Sequence, residues 1–428
     1  MCIRDRSLPV SIGIAGIGNV GSEVVIQLTE HKEYKKSFII KAISYRNKKK
    51  KRNFIPKGIT YYSDAKKLAQ DKTIDLVIEL IGGSEGIAKD VCFIAIKNNK
   101  HLITANKALI AEYGKDLSEL SNKNLVYFGF EASVAGGVPI IKVIKESLVS
   151  NKIYQITGIM NGTSNYLMDE IEKKSIDFEK VLKTAQKLGY AEKDPTFDVE
   201  GIDAAHKLAI LSLLVFKKLP RLSGMHVRGV SEVTLYDIKT ARDFGYKIKL
   251  LAICSNENSF ECSVEPWLIS KDHSLAKIDG VLNAIEINSN LAGPLLLTGA
   301  GAGSKPTASA VMSDVFDCLA GGNRTGLLRN GIKINQVSNS KSFKSEVKFY
   351  LRVSVVDKVG ILSDLTSIFK TFKISIETIY QDLQKGNQVA NLIIFTHNVK
   401  RTQMDKAVLK INKLKGTVGN ALAFCIYN

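Results

Sequence analysis

The stretch "GIAGIGNVGSEVV", residues 13–25, places Gly16, Gly18 and Gly21 directly after an apolar run, Val10–Ala15. An apolar run, a G-x-G-x-x-G spacing and an amphipathic run read as strand, tight turn and helix. In such a turn the first glycine permits the bend and the second lets backbone approach a pyrophosphate. The third lets the helix pack on the strand, and the helix N-terminus then faces the anion. Gly16, Gly18, Asn19, Val20 and Gly21 are therefore the expected contacts to a dinucleotide. The triplet alone is a weak signal; its position between strand and helix gives it weight.

Further apolar runs at Phe38–Ser44, Ile74–Leu80, His101–Thr104 and Leu125–Phe128 alternate with helical stretches. That alternation predicts a parallel sheet, a Rossmann domain over residues 8–135. The end of its second strand selects the cofactor. An acid there accepts from the ribose 2′-hydroxyl of NAD. Here "ISYRNKKKKR", residues 43–52, carries Arg46 instead, which can grip a 2′-phosphate bidentately. NADP(H) is the expected cofactor, with NAD as the alternative. The run Lys48–Arg52 reads as a solvated loop.

A chain of 428 residues predicts two or three domains. The net charge of +18 is spread along the chain, without a basic element interleaved with aromatics, so no nucleic-acid partner is expected. No apolar run approaches the roughly 18–20 residues of a membrane span. Met1–Ser7 reads as a polar extension. Six cysteines without a CxxC pair and six histidines without ligand spacing argue against zinc and disulfides, and fit a reducing cytoplasm.

From 136 to 334 the pattern changes to helices at Pro139–Leu148, Ser164–Lys174, Phe178–Leu188 and Asp203–Lys217, with strands near Lys247–Cys254 and Ser259–Pro266. An α+β domain with a mixed sheet is expected. "NQVSNSKSFKS", residues 335–345, reads as a polar linker. Residues 347–428 then read β-α-β-β-α-β, a ferredoxin-like order.

Three segments carry chemistry. "HLITANKALIA", residues 101–111, ends a parallel strand at Asn106–Lys107, on the sheet edge where ligands of such folds bind. "FGFEASVAGGVPII", residues 128–141, puts Glu131 past another strand end. "AQKLGYAEKDPTFDVEGIDAAHKLAIL", residues 185–211, carries Glu192, Asp194, Asp198, Asp203 and Lys207. Asp203 and Lys207 are four apart and share one helix face. A surface salt bridge would explain such a pair. Its place at the mouth of an apolar helix, after an acidic Gly- and Pro-broken loop, favours a site. His206 reads as an ordinary helix residue.

These blocks resemble homoserine dehydrogenases. The signature runs through Ala185, Gly189, Asp194–Pro195, Asp198, Gly201, Asp203 and Lys207. "TANKALIA", "EASVAGGVPII", "NGTSNYL" and "GAGAGSKPTASAV" resemble further family blocks, in order through Val10–Ala320. The resemblance implies that Glu192 and Asp203 hold the substrate's amino group, that Lys207 transfers the proton and that Lys107 lies beside the nicotinamide. Two neighbouring lysines would lower each other's pKa, which suits a base. By the same resemblance, Thr163 and Tyr190 line the substrate pocket, and Gly189 and Gly303 approach the cofactor. Glu131 with Val134, Gly136 and Val138 resembles the family's sodium or potassium site, built mainly from backbone oxygens. The implied substrates are L-homoserine and L-aspartate 4-semialdehyde, and the implied assembly is a homodimer or homotetramer.

"YLRVSVVDKVGILSDLTSIFKTFKISIETIYQ", residues 350–381, resembles the ACT domain, an amino-acid-sensing module. The match rests on Asp357, Gly360 and Leu362; Val359 stands where proline is common. An amino-acid effector is implied, L-threonine first. Two rivals stand beside this reading. An aspartate-semialdehyde dehydrogenase needs an activated cysteine, and neither Cys92 nor Cys318 has an activating motif. A non-catalytic sensor would have lost Lys107, Asp203 or Lys207, and all three remain.

Cofactor choice is testable at Arg46. Arg46→Ala should remove a charge-assisted contact of about 1.5–3 kcal/mol that only a 2′-phosphate makes. NADPH affinity should fall about 10- to 100-fold while NADH affinity holds. Equal weakening of both cofactors, by fluorescence titration, removes Arg46 from the phosphate site.

Overall fold

The computed structural model describes residues 9–30, 37–46, 54–257, 259–321, 335–337, 345–383 and 388–427. The expected extension Met1–Ser7 and the basic run Lys48–Arg52 lie outside them. Two compact units divide the chain. One comprises Met1–Ile153, His206–Pro220 and Asn283–Val337; the other Tyr154–Ala205, Arg221–Leu282 and Ser338–Asn428.

In the first unit, β1 (Val10–Ala15), β2 (Phe38–Ser44), β3 (Thr60–Tyr62), β4 (Leu76–Glu79), β5 (His101–Thr104) and β6 (Phe128–Gly129) form one sheet. Its order is β3-β2-β1-β4-β5-β6, with every pair parallel. This is the doubly wound order, whose switch point lies beside β1 at the carboxyl ends. β1 is buried along its whole length, as a strand covered on both faces must be. Helices Asn19–Glu30 and Ser304–Leu319 supply Val24, Val25, Leu28, Val311 and Val315 to the same core.

The second unit holds a mixed sheet with strands in the order Ile153–Ile159, Tyr246–Ser255, Glu261–Ser270, Leu422–Tyr427, Glu346–Val356, Val389–Thr396 and Ile376–Leu383. The last four form the expected ferredoxin-like module, with helices Ile361–Thr371 and Arg401–Ile411. The pairing that joins this module to the rest is parallel: Trp267 opposite Cys425, Leu268 opposite Ile426 and Ile269 opposite Tyr427.

Two expectations change here. The polar stretch Asn335–Ser345 does not run as linker throughout, because Asn335–Val337 is a strand paired with Lys218–Pro220. Residues 338–344 lie outside the described ones. Nor is the C-terminal module merely tethered, since its last strand is hydrogen-bonded into the sheet of the preceding region. Local sequence pattern does not announce such a pairing, because each strand is apolar with or without its neighbour.

Two ion pairs reinforce the junction. Arg401 donates to both oxygens of Glu265, Nη1 to Oε2 at 2.8 Å and Nη2 to Oε1 at 2.5 Å, and both residues are buried. Burial alone would raise the Glu265 carboxyl, but Arg401, His226 and Arg228 overcome it and bring the pKa down to about 2. Arg352 Nε and Tyr350 Oη donate to Asp237 Oδ1 at 2.7 and 3.2 Å. The other oxygen of Asp237 caps helix Leu235–Asp243, accepting from Thr234 N at 3.0 Å and from its Oγ1 at 2.6 Å.

A depressed carboxylate pKa stabilises the fold above its unfolded value, near 4.5, and that contribution is lost as pH falls through about 2. Removing one partner strands a buried charge. Arg401→Met should therefore cost about 3–5 kcal/mol, read as a fall in the urea midpoint at neutral pH. Arg401→Met with Glu265→Met should recover most of it. A double variant no more stable than the single one contradicts this account.

Candidate active site

The glycine turn divides its labour as the spacing suggests. Gly16 has φ +103°, and a Cβ there would lie 2.5 Å from the Leu80 carbonyl oxygen. A Cβ on Gly21 would lie 2.1 Å from the Gly16 oxygen. Gly18 faces open space. The fold itself demands the first and third glycines; the second leaves room for a ligand. Asn19 opens the helix and is exposed, with Val20 half-buried behind it. Arg46 is exposed on a bend just past β2.

A buried acid organises the neighbouring strand ends. Glu79, at the end of β4, accepts from Thr104 Oγ1 at 2.6 Å, Ile81 N at 2.7 Å and Gly82 N at 3.1 Å. Burial raises its pKa, opposed by these donors. Thr104 Oγ1 accepts in turn from Asn106 N at 3.0 Å. Asn106 then caps helix Lys107–Lys123, accepting from Leu109 N at 3.1 Å and donating to the Gly83 carbonyl at 2.6 Å. Lys107 is thus the first residue of a helix whose start is fixed on three sides. Glu79 was absent from the sequence reading, although an acid ending an apolar parallel strand is its visible mark.

The acidic loop is built around a second asparagine that the reading also missed. Asn161 caps helix Gly162–Lys174, its Oδ1 accepting from Ser164 N at 2.8 Å. Its amide group donates to Asp198 Oδ1 and to Asp203 Oδ2, each at 2.8 Å. One NH₂ group thereby ties two carboxylates together. Thr163 Oγ1 donates to the Tyr190 carbonyl at 2.7 Å, and the Tyr190 ring meets Tyr166 edge-on at 5.0 Å. Gly189 ends helix Phe178–Leu188 at φ +77°. Glu192 and Asp194 are exposed; Asp194 accepts from Thr196 N and Oγ1, which lower its pKa. Asp203 and Lys207 are both buried, one turn apart on helix Ile202–Phe216.

The loop after β6 is equally ordered. Glu131 is buried and its carboxylate accepts from Ile141 N at 3.0 Å and Lys142 N at 2.9 Å. Burial, with Asp314 nearby, raises its pKa to about 8. Ala135 and Gly136 follow at φ +56° and +52°, and a Cβ on Gly136 would meet the Gly301 carbonyl at 2.7 Å. The Val138 carbonyl accepts from Ile140 N at 2.8 Å. Gly303 stands at φ +113°, immediately before helix Ser304–Leu319. Each Glu131 oxygen keeps acceptor capacity beside its one N–H donor, so an alkali ion here would draw on that carboxylate with carbonyl oxygens of Val134, Gly136 and Val138. That donor set is oxygen-only and suits such an ion. Among the described residues, no group of three His, Cys, Asp or Glu side chains could hold a metal.

The family described as "Homoserine dehydrogenase" matches residues 139–316, its "NAD binding domain" matches 16–131, and "ACT domain" matches 349–416. The homoserine dehydrogenase of Neisseria gonorrhoeae is 37% identical, over 95% of this chain and 96% of that one. This chain belongs to the homoserine dehydrogenase family. It is thus an NAD(P)-dependent oxidoreductase acting on a CH–OH group, with a C-terminal ACT domain. The crystal structure of a homoserine dehydrogenase from Thiobacillus denitrificans superposes with TM-score 0.89 at 35% identity, covering 98% of each chain. A hyperthermophilic archaeal homoserine dehydrogenase in complex with NADPH shares the fold, with TM-score 0.65 at 24% identity. It covers 74% of this chain and all of its own. Among the described residues no helix is long and apolar enough to cross a membrane. The two cysteines weighed for the rival reading, Cys92 and Cys318, are buried, and burial pushes both thiols up.

Asn161 offers a direct check on the acidic pair of this homoserine dehydrogenase. Asn161→Leu withdraws hydrogen bonds to two carboxylates, worth about 1.5–3 kcal/mol each. Homoserine turnover at low substrate should drop at least about 10-fold, with the cofactor KM unmoved. Unchanged kcat/KM for homoserine rules out this bridging role.

Proposed function

We propose that the chain interconverts L-homoserine and L-aspartate 4-semialdehyde with NADP(H), using Asp203 and Glu192 for the substrate ammonium and Lys207 for the proton. The observation that carries this reading is the buried Asp203, tied through Asn161 to Asp198 and set one helical turn before Lys207. An ammonium entering a desolvated pocket needs carboxylates, and those held by a shared donor are already placed.

In the oxidative direction the hydroxyl proton passes to the amine of Lys207, which must be neutral to accept it. The C–H electron pair leaves as hydride, and the carbon–oxygen bond becomes the aldehyde carbonyl. The nicotinamide, when bound, supplies the hydride acceptor. Lys107, at the start of its capped helix, donates toward the same oxygen. Thr163 and Tyr190 wall the pocket. Gly16, Gly18, Asn19, Val20, Gly21, Gly189 and Gly303 line the dinucleotide, with Gly18 leaving its backbone open to the pyrophosphate, and Arg46 takes the 2′-phosphate. A sodium or potassium ion on the Glu131–Val138 loop stiffens its left-handed turn. The ACT module binds an amino-acid effector, L-threonine first, in a homodimer or homotetramer in the cytoplasm.

One assay addresses most of this: homoserine oxidation with NADP⁺ and with NAD⁺, each with and without L-threonine. Turnover with a marked NADP⁺ preference is expected. Lys207→Ala should lower kcat on the order of 10²–10⁴-fold with cofactor affinity intact. Near-normal turnover in that variant takes the proton away from Lys207.

A further inference from the structure

A short segment, His226–Val230, touches the ACT module on one side and the loop leading to Asp203 on the other. On the ACT side, Arg228 Nη2 donates to the Ala423 carbonyl at 2.7 Å. Its guanidinium carbon lies 5.0 Å from the centre of the Phe424 ring. His226 Nε2 lies 3.3 Å from both Glu265 Oε2 and Arg401 Nη1. The segment's own backbone is held by strand Glu261–Ser270: His226 and Val227 pair with Ser263 and Val264, and Arg228 N donates to the Val264 carbonyl at 2.8 Å.

On the other side the contact is backbone against backbone. Val230 N donates to the Val199 carbonyl at 2.9 Å. A Cβ on Gly229 would lie 2.3 Å from the Val199 oxygen and 2.5 Å from Glu200 Cα. The turn they support continues to Gly201, at φ +76°, where a Cβ would lie 3.0 Å from Val264 Cγ1. Asp198 and Asp203, the two carboxylates on Asn161, stand at either end of that turn.

We propose that Arg228 is a positioning residue for the substrate-binding carboxylates: anchored on the last ACT strand, it fixes segment 226–230, which seats the Val199–Gly201 turn and with it Asp198 and Asp203. The inference rests on the assignment of Asp203 to the substrate. Its physical basis is the absence of slack. Gly229 puts main chain on main chain, so a shift of the segment is passed on rather than absorbed by a side chain. Arg228 Nε has no acceptor among the described residues. The guanidinium's hydrogen bond and ring contact, to the Ala423 carbonyl and the Phe424 ring, both lie on the ACT strand, with Glu265 attracting it from farther off. The module thereby forms part of the support of the substrate site.

The test compares wild type with Arg228→Met, which keeps the apolar stem, and with Arg228→Lys, in the full chain. Hydrogen exchange should speed up across residues 196–203 in Arg228→Met, while residues 10–30 keep their protection. The homoserine KM should rise about tenfold with kcat and cofactor KM nearly unchanged, and Arg228→Lys should recover part of it. Gly229→Ala should reproduce the KM effect and fail to add to Arg228→Met. Unchanged exchange at 196–203 overturns the mechanical link. Faster exchange with an unchanged homoserine KM overturns the positioning role and leaves Arg228 as packing. A wild-type chain without homoserine turnover overturns the substrate assignment itself, and the exchange data still judge the link.

Discussion

The parallel seam between Glu261–Ser270 and Leu422–Tyr427 constrains the whole second unit. A sheet strand left unpaired exposes a row of N–H and C=O groups, and this seam closes that row from within the chain. The closing partner is a ferredoxin-like module that could have been an appendage. Because Glu265 is buried at the seam, its charge must be matched there, and Arg401 matches it with two hydrogen bonds. Burying the pair is costly unless geometry is good and further bonds are made. The fork from guanidinium to carboxylate, with His226 alongside, meets that condition.

A second regularity is the use of polar side chains to hold helix starts where chemistry is expected. Asn106 caps the helix that begins with Lys107, and Asn161 caps the helix beside Asp198 and Asp203. The Glu131 carboxylate does the same for the turn at Ile141–Lys142. Each uses orphan N–H groups of a first turn as fixed donors. A side chain placed this way needs little reorganisation when charge develops nearby.

Much of this was legible in the residues. Val10–Ala15, Phe38–Ser44 and His101–Thr104 are mainly apolar runs that follow one another at βα spacing, and the strands match them residue for residue. Val389–Thr396 and helix Phe178–Leu188 were equally plain. Strands Ile153–Ile159, Leu282–Ser289 and Pro294–Ala300 escaped the reading, because polar residues recur through the first two and Pro294 and Gly299 punctuate the third. The family blocks exposed Asp203 and Lys207; they contained Asn161, the first residue of "NGTSNYL", but gave it no role, since that role exists only once two distant acids converge on it. Arg401 had left a trace. A cation in a helix's first turn opposes the dipole, and a buried acid elsewhere in the fold answers it.

The seam also fixes an order of events in time. Glu265 and Trp267 leave the ribosome long before Arg401 and Cys425 exist. Until those residues arrive, strand Glu261–Ser270 carries an open edge at Trp267–Ile269, and Glu265 lacks its Arg401 partner. Contacts so distant in sequence form late and slowly, and open edges at that stage invite pairing with other chains. Closing that edge thus falls to a strand far downstream in the chain.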